Sequence, residues 1–292
     1  MKFKIFLSTL LFTFFTLASS SFAAYLASDV VGQDDFVSDT VNQGLGAPTA
    51  ETLNIPKALF IDEVDHRMFV ADTNNHRVLV YELNSNNLLI DKIADYVLGQ
   101  PDFVSNSFTS DTQNTMFTPS NLAYDSVNKY LFVSAQAPKV FVFDLSSGIT
   151  NGMNASYVLG QPDFVTAGSS LTQAGLQVTG SRSFPLYYDE NSELLFVGQG
   201  IGRRVSVFDL SGGITNGMNA SYVLGQDDFT SNVSACDQGS FMGSGSLGIN
   251  GIAYDSVNKY LFVSSFTSQR TLVFDLSGGI TNGMDASYVL GK

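Results

Sequence analysis

The stretch that decides the fold is Ala123-Tyr124-Asp125-Ser126-Val127-Asn128-Lys129-Tyr130-Leu131-Phe132-Val133, because the same eleven residues return unchanged at 253–263. Altered copies stand at 60–70 and 187–197. A β-branched and aromatic run, a polar Asp/Ser/Asn turn and a second apolar run are the pattern of a β-hairpin, in which Asp and Asn accept backbone bonds and tolerate positive φ. A third run follows each hairpin: residues 140–145, matched by 78–83, 205–210 and 271–276. A fourth, Tyr-Val-Leu-Gly, falls at 96–99, 157–160, 222–225 and 288–291, and residues 29–33 carry a variant of it.

The glycines that end these fourth runs, Gly32, Gly99, Gly160, Gly225 and Gly291, lie 67, 61, 65 and 66 residues apart. A constant period of this size marks a repeat architecture, not unrelated domains. Four short runs per repeat predict four-stranded antiparallel units that cannot bury their own faces alone, so the expected fold is all-β, a β-propeller. The blades fall at about 55–100, 118–161, 184–226 and 249–291, with an extra outer strand at 29–33. No helix is expected in this body. Asn-Gly at 151–152, 216–217 and 282–283 predicts hairpin turns with positive φ at both residues. One outer strand is surplus. Either four blades close a ring with a spare strand, or the repeats form part of a longer propeller of about six blades; the stop at Lys292, where earlier copies run on into Gln and Asp, favours the second.

The first repeat reads Met68, Phe69, Val70, Ala71, Asp72, Thr73, Asn74, Asn75, His76, Arg77, Val78, Leu79, Val80, Tyr81, preceded by Pro56 and Asp62. This run resembles the NHL repeat, and the resemblance implies an NHL-type propeller whose members are mostly binding scaffolds. It is close in the first repeat and decays afterwards, where Asp72, Asn75 and His76 have no counterparts. The absence of tryptophan argues against the WD40 alternative.

Composition limits the chemistry. With 14 Lys and Arg against 27 Asp and Glu, the net charge is −13, which disfavours nucleic acid as a partner. Two histidines and one cysteine exclude an intrachain disulfide and zinc sites built from several His or Cys. Lys2 and Lys4 precede an apolar stretch that ends in small residues, the pattern of a cleaved signal peptide over residues 1–23. The predicted mature chain, 24–292, keeps 12 basic and 27 acidic residues, a charge of −15, and has no membrane span after cleavage. The expected location is periplasmic or extracellular. Cys236 is expected to be buried.

The loops sort into two faces. Residues 146–156 are nearly copied at 211–221 and 277–287, whereas the connections 34–54, 101–117, 162–184 and 227–248 differ in every blade. Length beyond about 12 to 15 residues suggests function, so a protein, peptide or glycan ligand is expected on the variable face. Its candidate contacts are Asp72, Asn75, His76 and Arg203. His66 reads as a turn residue. Asp62, Asp125, Asp189 and Asp255 recur with Arg77, Lys139, Arg204 and Arg270, and are expected to pair with them and order the strand ends. Asp144, Asp209 and Asp275 read as turn formers, and Asn154, Asn219 and Asn232 begin glycosylation sequons. No catalytic constellation is apparent. The preferred reading is an exported binding scaffold without a cofactor. The alternative is a lactonase-like or streptogramin-lyase-like hydrolase or lyase, with Ca2+ or another divalent metal at the channel held by Asp72, Asn75, Asp102, Asp163 or Asp228.

Overall fold

The computed structural model describes residues 27–108, 110–177, 184–242 and 248–291, so the predicted signal peptide lies outside the described residues. Each repeat folds into one antiparallel sheet whose strands follow in chain order. The first blade comprises β1 (Pro56–Asp62), β2 (Arg67–Asp72), β3 (Arg77–Glu82) and β4 (Tyr96–Leu98); the second β5 (Asn121–Asp125), β6 (Tyr130–Ala135), β7 (Lys139–Asp144) and β8 (Tyr157–Leu159). The third is β9 (Leu186–Asp189), β10 (Leu194–Gln199), β11 (Arg204–Asp209) and β12 (Tyr222–Leu224); the fourth β13 (Ile249–Asp255), β14 (Tyr260–Ser265), β15 (Arg270–Asp275) and β16 (Tyr288–Leu290). The chain is all-β, a β-propeller arrangement of four-stranded blades. Two short 3-10 segments, Val41–Gly44 and Thr73–Asn75, are helical exceptions to the expected body, and no described helix is long and apolar enough to cross a membrane.

Blades are buried against one another through alternate strand residues. Phe132, Val140, Val142 and Leu159 of the second blade close over Leu186, Tyr188, Leu195 and Val197 of the third. In all three interfaces a phenylalanine of one blade packs on a tyrosine of the next: Phe69 on Tyr124, Phe132 on Tyr188 and Phe196 on Tyr254, with ring centroids 5.4, 5.3 and 5.2 Å apart. These offset aromatic pairs add about 0.5–1.5 kcal/mol each beyond burial.

The Asn-Gly turns do something other than the sequence suggests. Only the glycine has positive φ. Asn151 Oδ1 accepts from Val97 N at 2.9 Å and Gly152 N donates to Val97 O at 2.9 Å, so this dipeptide staples the outer strand of the preceding blade. Asn216 with Gly217 holds Val158, and Asn282 with Gly283 holds Val223, in the same way. The copied loops therefore serve the blade interfaces.

The inner strands β1, β5, β9 and β13 lie side by side in that order, and among the described residues no comparable packing joins β13 back to β1. Burial agrees: Leu59 is 65% exposed where its counterpart Leu122 is 9% exposed. The predicted extra strand at 29–33 belongs to no sheet. Gly32 makes one isolated parallel bridge to Thr52, as Gly160 does to Gly175.

Candidate functional site

The four basic residues that open the third strands are the most unusual side chains of the molecule. Arg77, Lys139 and Arg204 are fully buried and Arg270 nearly so. Their expected pairing with Asp62, Asp125, Asp189 and Asp255 is not found, because those carboxylates sit at the other end of the strands. Asp62 stands opposite Arg67 in the ladder and Asp72 opposite Arg77. Asp62 Oδ1 instead accepts Val64 N, and Asp125 and Asp255 accept Val127 N and Val257 N. Asp189 accepts from Ser192, so all four cap hairpin turns.

Each buried cation has its own set of partners. Arg77 Nε donates to Asp72 Oδ2 at 2.7 Å, while its Nη atoms donate to the carbonyls of Phe103, Thr49 and Thr52. Lys139 Nζ donates to Asp111 Oδ2 at 3.0 Å and to Phe164 O. Among the described residues no carboxylate is in hydrogen-bond contact with Arg204: Gln199 Oε1 takes its Nε, and the carbonyls of Phe229, Thr172 and Gly175 take the rest. Burial draws the Arg204 guanidinium down to about 10. Burial likewise pushes the Asp72 and Asp111 carboxyls up, against the pull of Arg77 and Lys139. These cations knit the start of the third strand to the connection before it and the turn after the outer strand.

Asp72 and Asn75 therefore correct the expectation of a ligand surface. Both are completely buried, with Asn75 Nδ2 donating to Asp72 Oδ2 and to Asn42 Oδ1. They are a counter-ion and its support. His76 and Arg203 do lie at the variable face, each half-buried and each with positive φ. The His76 ring lies against Phe117 and Phe108, which stack at 4.2 Å, and Nδ1 accepts Thr118 N. Burial there pulls the imidazole below its ordinary range. Arg203 Nη1 donates to Asn232 Oδ1 at 2.6 Å. His76 and Arg203 belong to different blades and to separate clusters.

A recurring residue that carried no role in the sequence reading proves central to this face. Gln100 Nε2 donates to His76 O and Ser107 O, Gln161 Nε2 to Pro138 O and Gly168 O, and Gln226 Nε2 to Arg203 O and Val233 O. The glutamine after each outer-strand glycine thus ties the hairpin tip of its blade to the following turn. Its recurrence after Gly32, Gly99, Gly160 and Gly225 was the available signal. The aspartate two residues later caps that turn: Asp102 accepts Val104 N, Asp163 Val165 N and Asp228 Thr230 N. Hydrogen bonds from Thr230 and Ser231 hold the Asp228 carboxyl down at about 2.

The carboxylates considered for a channel metal are thus each engaged in a separate turn or ion pair, and no group of three His, Cys, Asp or Glu suited to a metal occurs among the described residues. Cys236, expected to be buried, is exposed in the 227–248 connection. The long connections do not stay on one face either. Gln113 O, Gln173 O and Gln238 O accept Ala155 N, Ala220 N and Ala286 N beside the copied loops, so each connection runs down the outer rim before it returns.

What remains at the variable face are the tips between second and third strands: residues 74–76, 136–138, 200–203 and 266–269. The glutamine tie beneath them is the same in the first three blades, and the tips differ. The fold and this face define a β-propeller-type array of four blades with a framework of buried cations. No family model and no curated protein matches the chain. Solved structures similar to it include a nidogen/laminin complex, at 11% identity and TM-score 0.46 over 82% of this chain and 65% of that chain. Hydrazine synthase from Kuenenia stuttgartiensis is another, at 10% identity and TM-score 0.48 over 85% of this chain and 51% of that chain. The chain thus spans less than two thirds of either structure's length.

Proposed function

We propose that this protein is an exported, NHL-like propeller scaffold that binds a protein, peptide or glycan through its variable face and performs no chemistry there. The observation that carries the reading is the contrast at the hairpin tips. Gln100, Gln161 and Gln226 tie the tips of the first three blades in the same way, while Asn74 and His76 of the first blade, Arg203 of the third and Phe266 of the fourth present different side chains; Asn74 and Phe266 are exposed. A rigid support with varied outward side chains is how propellers and other repeat proteins build recognition surfaces. The signal peptide pattern supports export.

The test is to pan the purified mature chain against a displayed peptide library and a glycan array, beside a variant carrying Asn74→Ala, His76→Ala, Arg203→Ala and Phe266→Ala. Ligands captured by the parent and lost in the folded variant are the expected result. Ligands that survive these changes would refute a role for the tips. Turnover of an arrayed glycan would refute the non-catalytic reading.

A further inference from the structure

At the end of the blades opposite the variable face, the inner strands line a cavity that neither the buried cations nor the hairpin tips use. Its origin is written in the repeat. Phe60, Ala123 and Tyr187 hold one position of the inner strand in three successive blades, each opposite a phenylalanine of the next strand: Phe69, Phe132 and Phe196. Because β1, β5 and β9 lie side by side, the middle blade places a methyl group between two rings. The resulting cavity has a volume of about 390 Å³ and is lined by Phe60, Ala123, Tyr124, Tyr187, Asp189 and Glu190 among others. That volume lies in the range of small-molecule sites.

The lining combines aromatic faces with negative charge, and none of its residues is basic. Phe60 and Tyr187 are half-buried, and their rings are set by neighbours, Tyr124 at 5.8 Å and Tyr254 at 6.0 Å between centroids. Burial and the carboxylates of Asp189, Asp255 and Glu190 push the Tyr187 phenol up, which marks the negative potential at this wall. Glu190 is exposed and spends Oε1 on Ser126 N and Oγ. The lysines of this end are engaged elsewhere. Lys129 Nζ lies 2.8 Å from Asp65 Oδ2, and Lys259 Nζ lies 5.9 Å from the centroid of the Tyr254 ring. The third blade has Glu193 where these two lysines stand. Lys259 on Tyr254 shows that this end of a blade accommodates a cation on a tyrosine face, and the third blade supplies the tyrosines and the carboxylates without the cation.

We propose that this cavity binds an organic cation of the guanidinium or alkylammonium class, its head over Ala123 between the Phe60 and Tyr187 rings and its charge met by Asp189 and Glu190. Ring faces attract a cation through their quadrupole, and the carboxylates add a Coulomb attraction that a partly enclosed site screens less than open water does. The same carboxylates repel an anion, and a neutral sugar would use the rings and gain nothing from the charge. The site lies at the other end of the blades from the hairpin tips, so it stands or falls separately from the variable face.

The experiment is titration calorimetry of the purified protein at low ionic strength with agmatine and with the peptide acetyl-Gly-Arg-Gly-amide, which separate a free amine from a peptide side chain as the source of the cation. Saturable binding of at least one is expected, and the tighter binder assigns the source. Tyr187→Leu keeps apolar volume and removes the ring, and should weaken binding by roughly 2- to 30-fold, the worth of one cation–π contact. Glu190→Gln keeps the acceptor for Ser126 and should make binding weaker and less sensitive to salt. Ala123→Phe installs the side chain of the first blade, fills the cavity and should abolish binding, with circular dichroism to show that the variant is folded. The variant altered at Asn74, His76, Arg203 and Phe266 should bind as the parent does. No saturable binding of either cation, an affinity unchanged by Tyr187→Leu, displacement of the cation by a neutral methyl glycoside, or loss of binding in the variant altered at the tips would each overturn the proposal.

Discussion

Replacing Lys139 by Met tests whether the buried cations hold the blades together. The side chain is completely buried, its ammonium donates to Asp111 Oδ2 and Phe164 O, and Asp111 itself is 6% exposed. Methionine keeps most of the volume and removes the charge, which leaves a carboxylate buried without a counter-ion; breaking such a pair from one side costs about 3–5 kcal/mol. For a domain of this size that is a fall in Tm of about 6–20 °C. Asp111→Asn keeps the acceptor for Phe117 N, so the double variant Lys139→Met/Asp111→Asn should recover most of the loss, to within about 1–2 kcal/mol. The pH dependence has a definite sign. Burial already raises the Asp111 carboxyl, and losing Lys139 removes the group that pulls it down. A carboxyl raised in the folded state contributes stability that is present below its unfolded pKa and lost as pH rises through the folded one. The single variant is therefore impaired more at pH 8 than at pH 5. Denaturant melts of the four proteins at both pH values measure this. A single-variant loss below about 1 kcal/mol, or a double variant no more stable than the single, would refute the argument.

Two further outcomes follow from the same geometry. Asn216→Ala strips the acceptor from Val158 N, and a part-buried donor left unpaired costs about 1–3 kcal/mol, so both stability and protection of that amide against hydrogen exchange should fall; unchanged protection would show that the staple contributes nothing. His76 is lowered by burial, so the stability it contributes is present above the ordinary histidine range and is lost as pH falls through its folded pKa. His76→Phe should flatten the Tm between pH 7.5 and 5.5, and an identical slope in parent and variant would remove His76 from the account.

The sequence by itself determined the repeat, the number of strands in each blade and their order, because each strand is written as a local alternation and each turn as Asp, Asn and Gly chemistry. It also marked positions that matter, since the glutamine of Gln100 and the asparagine of Asn151 recur in most copies and a basic residue stands at the position of Lys139 in all four. What it could not decide was which copies touch. Asp125 and Lys139 recur together, yet they stand at opposite ends of their strands, and the true partner Asp111 comes from a connection with no repeated pattern. Asp72 and Asn75 read as surface chemistry because their type is polar; only packing shows them buried around Arg77. The Asn-Gly pair reads as a local turn, and only the neighbouring blade reveals it as a staple on Val97. Local conformation is set by residues a few positions apart, which a sequence displays directly. Pairing between blades is set by side chains brought together across 20 to 60 positions, and only the folded arrangement settles which of several equivalent groups is within 3 Å of another.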